Sequence, residues 1–394
     1  MRILCVFGRH NYGDPARGEG VEYASFLPAL RALGHEVEHF ESFARIGHAD
    51  FAALNRALLE RVEAYRPEVV LTVLMMAEVW LETVALMRAS GVRVVNWSTD
   101  DSWKYRQFSR LIAADFDRFA TTWPEAPAWY AADGIDSCVP TQWGVAASVL
   151  RAPKPAAECG IDVCFVGSNY GERAARVERL RRAGIDVRCF GHGWPGGGVT
   201  AERMAEIFRD SRLSLNFSAG GGGAGRQIKA RVFEVPGVGG ALLTEATPFL
   251  DRYLIPGREA AVFEGDDGLL TLTRHLLDHP EERDAIATAG HARVAADHTY
   301  EERMAGLLDF GDELARPGKP LDWQAFEAAV ARHRVGMAGR ALRWGLTAPC
   351  SALWGRARGP RAARRLLFEL SWRLAGRATY TAAGLPGRLF YRES

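Results

Sequence analysis

Two groups of residues have types and spacing that could do chemistry: the adjacent acids Asp100 and Asp101, and a glycine run, Gly220 to Gly225, followed by Arg226, Lys229, Arg231 and Glu234. Five of the six positions 220–225 are glycine. Such a run lets backbone approach a ligand closely, and a helical pattern follows it directly. A helix N-terminus offers unpaired N–H groups and partial positive charge, which suits a diphosphate. Cations in the first two turns of a helix oppose its dipole, so Arg226, Lys229 and Arg231 imply an anion nearby. Glu234 lies eight residues beyond Arg226. That is about 12 Å along a helix, roughly the reach from a diphosphate to a ribose, whose hydroxyls a carboxylate can accept. The alternative is a flexible glycine loop before a solvated basic helix. A Walker loop is excluded, because no G-K-[ST] closes the run.

Asp100 and Asp101 follow the strand-like run VRVVNWS and open a helical one. At that edge they could serve as general base or orient an acceptor hydroxyl; Asp100 is also a good N-cap, which would leave Asp101 the freer group. A metal site of D-x-D type is the rival use, but cations around Lys229 could stabilise the same charge, so no metal is expected. The loop GRHNYGDPARGEG brings His10, Tyr12 and Arg17 to the end of the first strand, with His10 a candidate catalytic group. It lacks G-x-G-x-x-G and is no dinucleotide fingerprint. GSNYGE, Gly167 to Glu172, sets Ser168, Asn169 and Tyr170 at another strand end. FGHGWPGGG adds His192 and Trp194, the latter able to stack on a nucleobase or to brace a rigid turn.

The elements that must position these residues alternate short β-rich runs with helical patterns, the signature of parallel sheets covered by helices. Six strands are expected in the first 145 residues: 2–8, 36–42, 68–75, 92–98, 116–123 and 137–144. The Pro- and Ala-rich stretch Arg151 to Gly160 reads as a hinge. Beyond it, strands are expected at 161–168, 185–191, 212–218, 240–245 and 259–265, and only helices after Gly265. The expected architecture is α/β: two Rossmann-like, doubly wound domains, 1–150 and 151–320, facing a cleft that would take a ligand, with a basic helical tail over 321–394.

A chain of 394 residues with 48% hydrophobic and 25% charged residues is an ordinary globular protein too long for one small module. Its net charge of +1 hides an asymmetry: from Ala331 onward there are thirteen arginines against two acids, Glu369 and Glu393. Trp344, Trp354 and Trp372 lie among those arginines, and Leu366, Leu370 and Leu374 fall on one helical stripe. That composition suits a helix on an anionic membrane surface, or a helix bracing the first domain with its arginines solvated. Nucleic acid is not expected as a partner, for lack of a recognisable module. Six scattered cysteines, without metal-ligand spacing or a signal-like or membrane-spanning run, point to the cytoplasm, with peripheral attachment to the inner face of the plasma membrane an option.

From about Asn216 to Leu308 the chain resembles the C-terminal domain of GT-B glycosyltransferases, in particular the CgeB-like, spore-maturation-type group. The residues that carry the resemblance are GRQIKARVFEVPGVGGALLTE, FLDRYLIPGREAAVF and HPEERDAIATAGHARVAADHTYEERM. In the first half, NYGDPARGEGVEYASFLPALRALGHEVEHF and NWSTDDSWKYRQFS are also similar to that group. The resemblance implies transfer of a sugar from a nucleoside-diphosphate sugar, bound mainly by the domain 151–320, to an unidentified glycan, lipid-linked or protein acceptor on the side of the domain 1–150, with the donor as substrate and no further cofactor. The implied donor-binding set is Gly167, Ser168, Asn169, Tyr170, His192, Gly225, Arg226, Gln227, Lys229, Arg231 and Glu234. Lys229 and Arg231 would neutralise the diphosphate and Glu234 would hold the ribose. Family-4 retaining enzymes carry a sugar-holding glutamate where this chain has Arg226, so sugar identity and stereochemistry do not carry over. A nucleotide-sugar epimerase and a non-catalytic surface component with a degenerate site are the alternative functions.

Overall fold

A computed structural model of the chain describes residues 1–220 and 225–394. The chain folds into two compact units and passes between them four times. Unit 1 comprises Met1–Arg9, Gly34–Thr141 and Leu307–Ser394; unit 2 comprises His10–Leu33 and Gln142–Gly306.

Unit 1 is built on six parallel strands, β1 (Arg2–Phe7), β2 (Glu36–Glu41), β3 (Val69–Thr72), β4 (Arg93–Ser98), β5 (Arg118–Thr121) and β6 (Cys138–Pro140), in the order β2-β1-β3-β4-β5-β6. The central strands are buried along almost their whole length, as a parallel sheet covered on both faces requires. The last 88 residues are not a separate tail. Phe326, Phe368, Tyr380 and Tyr391 sit in the same core as Phe51, Trp80 and Phe108. Polar ties reinforce the docking: Arg316 donates to Asp117 at 2.7 Å, and Arg377 pairs with Asp115. Burial disfavours the Asp117 charge, but the Val94 N–H, Arg88 and Arg316 together hold its carboxyl below the ordinary range.

Unit 2 contains β7 (Ile161–Val166), β8 (Val187–Phe190), β9 (Ser211–Asn216), β10 (Leu242–Glu245) and β11 (Ala261–Phe263), all parallel, in the order β11-β10-β9-β7-β8. Hydrophobic clusters cover its sheet, one around Phe165, Trp194 and Phe217, another around Phe208, Phe233 and Val294.

The expected hinge at Arg151 to Gly160 is instead a fixed part of unit 2. Lys154 pairs with Asp210 at 2.6 Å, Ala156 N–H donates to Asp284, and the fully buried Arg283 donates to Lys154 O at 2.8 Å. Proline and alanine suggested a linker, but the backbone groups there find partners, and the chain changes unit at 9/10, 33/34, 141/142 and 306/307 instead. Three consecutive spans ending at 150, 320 and 394 therefore do not describe how the chain divides.

Candidate functional site

In unit 2, β7, β8, β9 and β10 end at Val166, Phe190, Asn216 and Glu245, and the loops leaving those ends carry the donor-binding candidates. Two loops are stitched together backbone to backbone. Gly167 N–H donates to Phe190 O at 2.9 Å, and Asn169 N–H to His192 O at 2.8 Å. A Cβ on Gly191, whose φ is +118°, would lie 2.4 Å from Gly167 O, so only glycine allows this approach. The Asn169 amide donates to Gly193 O at 3.2 Å, so Asn169 shapes the turn, while His192 is exposed.

Arg173, which sequence reasoning did not single out, clamps this edge. Its guanidinium donates to Ser168 O at 2.8 Å, to Tyr170 Oη at 2.8 Å and to Phe217 O at 3.3 Å, and stacks 3.8 Å above the Tyr170 ring. Tyr170 Oη in turn donates to Ala219 O at 3.1 Å, joining the loops after β7 and β9. Burial lowers the Arg173 pKa from its ordinary value, yet a guanidinium stays charged at neutral pH. Among the described residues no carboxylate pairs with it. The signal was present in the sequence, since a cation at the first helical position after GSNYGE invites the argument applied to Arg226.

At the end of β10 the buried Glu245 pairs with Arg176 at 2.9 Å and Arg226 at 3.3 Å, and accepts from Ser218 N–H at 3.1 Å. Arg226 is thus held at the edge by a carboxylate 19 positions away in sequence. Burial disfavours the Arg176 charge, but Glu245, Asp266 and Glu172 outweigh it and raise its pKa. Thr247 and Ser218 complete the edge through a hydroxyl pair at 2.6 Å.

The helix after the glycine run begins later than expected, at Arg231, and ends at Gly237. Arg226, Gln227 and Lys229 precede it. Ala219 and Arg226 form an antiparallel bridge, and Gln227 N–H donates to Ser218 O at 2.8 Å, so the chain turns back on itself before becoming helical. Positions 221–224 of the glycine run lie outside the described residues. The 12 Å helical spacing between Arg226 and Glu234 therefore does not apply. Lys229 Nζ donates to Gln227 Oε1 at 2.8 Å. Arg231 donates to Val166 O at 3.2 Å and pairs with Glu234, so a ribose at Glu234 would have to share that carboxylate with Arg231. Trp194 is no base-stacking platform: it is buried against Phe165 at 5.8 Å.

A cavity of about 670 Å³ flanks unit 2, lined by Ala24, Val145, Lys154, Met204 and Phe208 among others. Of the expected donor-binding residues only Glu234 lines it. Size alone suits a nucleotide, but most of the lining runs along the helix Ala201–Arg209, from Glu234, which pairs with Arg231, away to Asp210 and Ile161 at the starting ends of β9 and β7. The cation cluster is the better candidate for an anionic ligand.

His10 lies in unit 2, in a loop closed by its bridge to Glu19 and by Asn11, whose amide donates to Glu19 O at 2.9 Å. Tyr12 stands exposed at φ 57°, with Arg17 over its ring at 5.0 Å.

In unit 1 the two acids have fates opposite to those expected. Asp101 is 1% exposed and accepts from Ser98 Oγ at 2.7 Å, Tyr130 Oη at 2.9 Å and Ser109 Oγ. Three hydroxyl donors inside the fold make it a structural anchor rather than the freer base. A π-helical turn, Tyr105–Ser109, delivers Ser109 to it. Burial, then the Asp101 charge, pushes the Cys138 thiol up to about 12 and the Tyr130 phenol higher still. Asp100 starts the helix without a side-chain capping bond, and instead pairs with Lys104 at 3.1 Å.

Residues 173–309, which contain the whole cation cluster, match the glycosyl transferase-like family. No protein of curated function matches the sequence. Among solved structures, the sucrose-phosphate synthase from Thermosynechococcus elongatus is similar over 78% of this chain and 97% of its own, with 12% identity and a TM-score of 0.57. HepE from Anabaena, solved in complex with UDP and glucose, is similar over 78% of this chain and 99% of its own, with 11% identity and a TM-score of 0.52. At such identities the likeness is one of fold: two parallel-sheet Rossmann-like domains of the GT-B kind, with a helical C-terminal region.

Proposed function

We propose, for a chain with the GT-B fold whose residues 173–309 match the glycosyl transferase-like family, that it transfers a sugar from a nucleoside-diphosphate sugar bound at the strand ends of unit 2. The observation that carries this reading is the charge at that edge. Arg173, Arg176, Arg226, Lys229 and Arg231 gather there against two buried carboxylates, Glu234 and Glu245. Of these cations Arg173 is held by carbonyls, a tyrosine hydroxyl and stacking rather than by a carboxylate, and its charge is well placed to stabilise a leaving diphosphate. Their positive charge could do this without a divalent metal, so transfer should persist in EDTA. Lys229 and Arg231 meet the diphosphate, and Glu234, on exchanging Arg231, holds the ribose. In unit 1, Asp100 is the remaining candidate for the acceptor-side base. The motif residues favour the CgeB-like group, and the six free thiols favour a reducing compartment.

Calorimetric titration of the chain with UDP, GDP, TDP and CMP compounds tests the donor site. Glu234→Ala should weaken nucleoside binding by about 1–3 kcal/mol, the loss of a charged hydrogen bond. Failure of every nucleotide to bind the wild-type chain would overturn the reading. Incubation with donor alone then separates transfer from epimerisation, since an epimerised sugar without acceptor would assign the second activity.

A further inference from the structure

The C-terminal hairpin of unit 1, helices Met337–Trp354 and Gly359–Ala375, shows solvent the kind of surface that folded chains usually bury. On the first helix every exposed position from 337 to 353 is apolar except Arg340. Met337 is 80% exposed, Trp344 74% and Leu353 74%. The helix turns its more polar side inward, where Arg343 pairs with Glu393 at 2.6 Å. On the second helix Leu366, Leu370 and Leu374 form one exposed stripe, with Leu374 85% exposed.

The surroundings of this apolar face carry one sign of charge. No acidic residue occurs between Glu327 and Glu369, while nine arginines do. Elsewhere in the unit, Arg316 pairs with Asp117 and Arg377 with Asp115. In the hairpin, Arg340, Arg356, Arg358, Arg361 and Arg365 have no carboxylate partner among the described residues.

We infer that this hairpin is an interfacial membrane-binding surface, which lies on an anionic lipid bilayer with Trp344, Trp354 and its exposed leucines among the acyl chains and its arginines at the headgroups. Exposed Leu and Trp beside unpaired arginines match both layers of such an interface. A second copy of the chain fits less well, because a two-fold contact sets these arginines against themselves. Nucleic acid would meet the arginines but leave Leu353, Leu370 and Leu374 without an apolar partner. No described helix is long and apolar enough to cross a membrane, so the hairpin would lie in the interface. The inference does not depend on the nature of the sugar donor.

Flotation of the full chain with vesicles tests it, using phosphatidylcholine mixed with phosphatidylglycerol against phosphatidylcholine alone. The chain should float with the anionic vesicles, less so as salt rises, and weakly with the neutral ones. Arg361→Gln combined with Arg365→Gln should weaken partition about tenfold or more. Trp344→Glu combined with Leu353→Glu should abolish it. Both substitution pairs fall on exposed positions, so thermal unfolding should stay near the wild-type midpoint and UDP titration should be unchanged. Three results would overturn the inference: no flotation with anionic vesicles, flotation unaffected by both pairs, or a lipid-free dimer that the Glu variants dissociate.

Discussion

The two sheet edges handle charge in opposite ways. At the end of β4 in unit 1, Asp101 is buried and answered by three neutral hydroxyls, while Glu78, also fully buried, accepts from the backbone N–H groups of Met75 and Met76. These acids have their donors within the fold. At the ends of β7, β9 and β10 in unit 2, five cations gather, and Arg173 is answered only by carbonyls and a tyrosine hydroxyl. A buried charge needs partners, and one satisfied by neutral dipoles keeps its net field. The first arrangement serves the fold; the second leaves room for an external anion. Two adjacent carboxylates in a sequence therefore say less about catalysis than the identity of their donors does.

Substitutions that separate stability from nucleotide binding can break this contrast. The largest effect is expected for Asp101→Ala, which leaves three buried hydroxyls without their acceptor and should lower unfolding free energy by about 3 kcal/mol, while UDP affinity of the folded fraction stays unchanged. Urea unfolding and calorimetry together read both quantities; a loss of UDP affinity would return Asp101 to the site. Arg173→Lys comes next. A lysine cannot reproduce the forked contacts to Ser168 O, Tyr170 Oη and Phe217 O, so UDP affinity should fall by about 1.5–3 kcal/mol. Affinity equal to wild type would show that the cation does not feel the ligand.

A smaller, pH-dependent effect should appear in both units. Burial lowers the pKa values of His39 and His333 in unit 1 and of His298 in unit 2. Below about pH 6.5 the unfolded chain takes up protons that these folded imidazoles refuse, so stability falls as pH drops through that value. His298→Asn should flatten the dependence in unit 2 alone, measured by hydrogen exchange of each sheet; equal flattening in unit 1 would contradict it. The smallest effect is expected for Met204→Trp, which fills the flank cavity that Glu234 also lines: UDP affinity should fall less than in Arg173→Lys, whereas a larger loss would move the nucleotide from the strand edge to that cavity.

Much of the fold was legible because strand and helix periodicities are local. All eleven strands lie where β-rich runs were read, shortened by a residue or more at most ends. The hairpin arginines and the stripe Leu366, Leu370 and Leu374 were also visible. Asp101, Trp194 and the stretch 151–160 misled. Each offered a plausible local role, a base, a stacking ring or a linker, that partners distant in sequence withdrew.

The order of residues by itself determined two α/β repeats, a cation-rich segment after a glycine run and an arginine-rich end, since hydrophobic period and charge are properties of neighbours along the chain. Only the tertiary structure decided that Arg226 meets Glu245, that Arg173 closes the edge and that Asp101 is enclosed by hydroxyls. It also decided that the last 88 residues complete the first unit. Those outcomes depend on which side chains arrive from far along the chain to satisfy a buried charge, and neither spacing nor composition encodes that pairing.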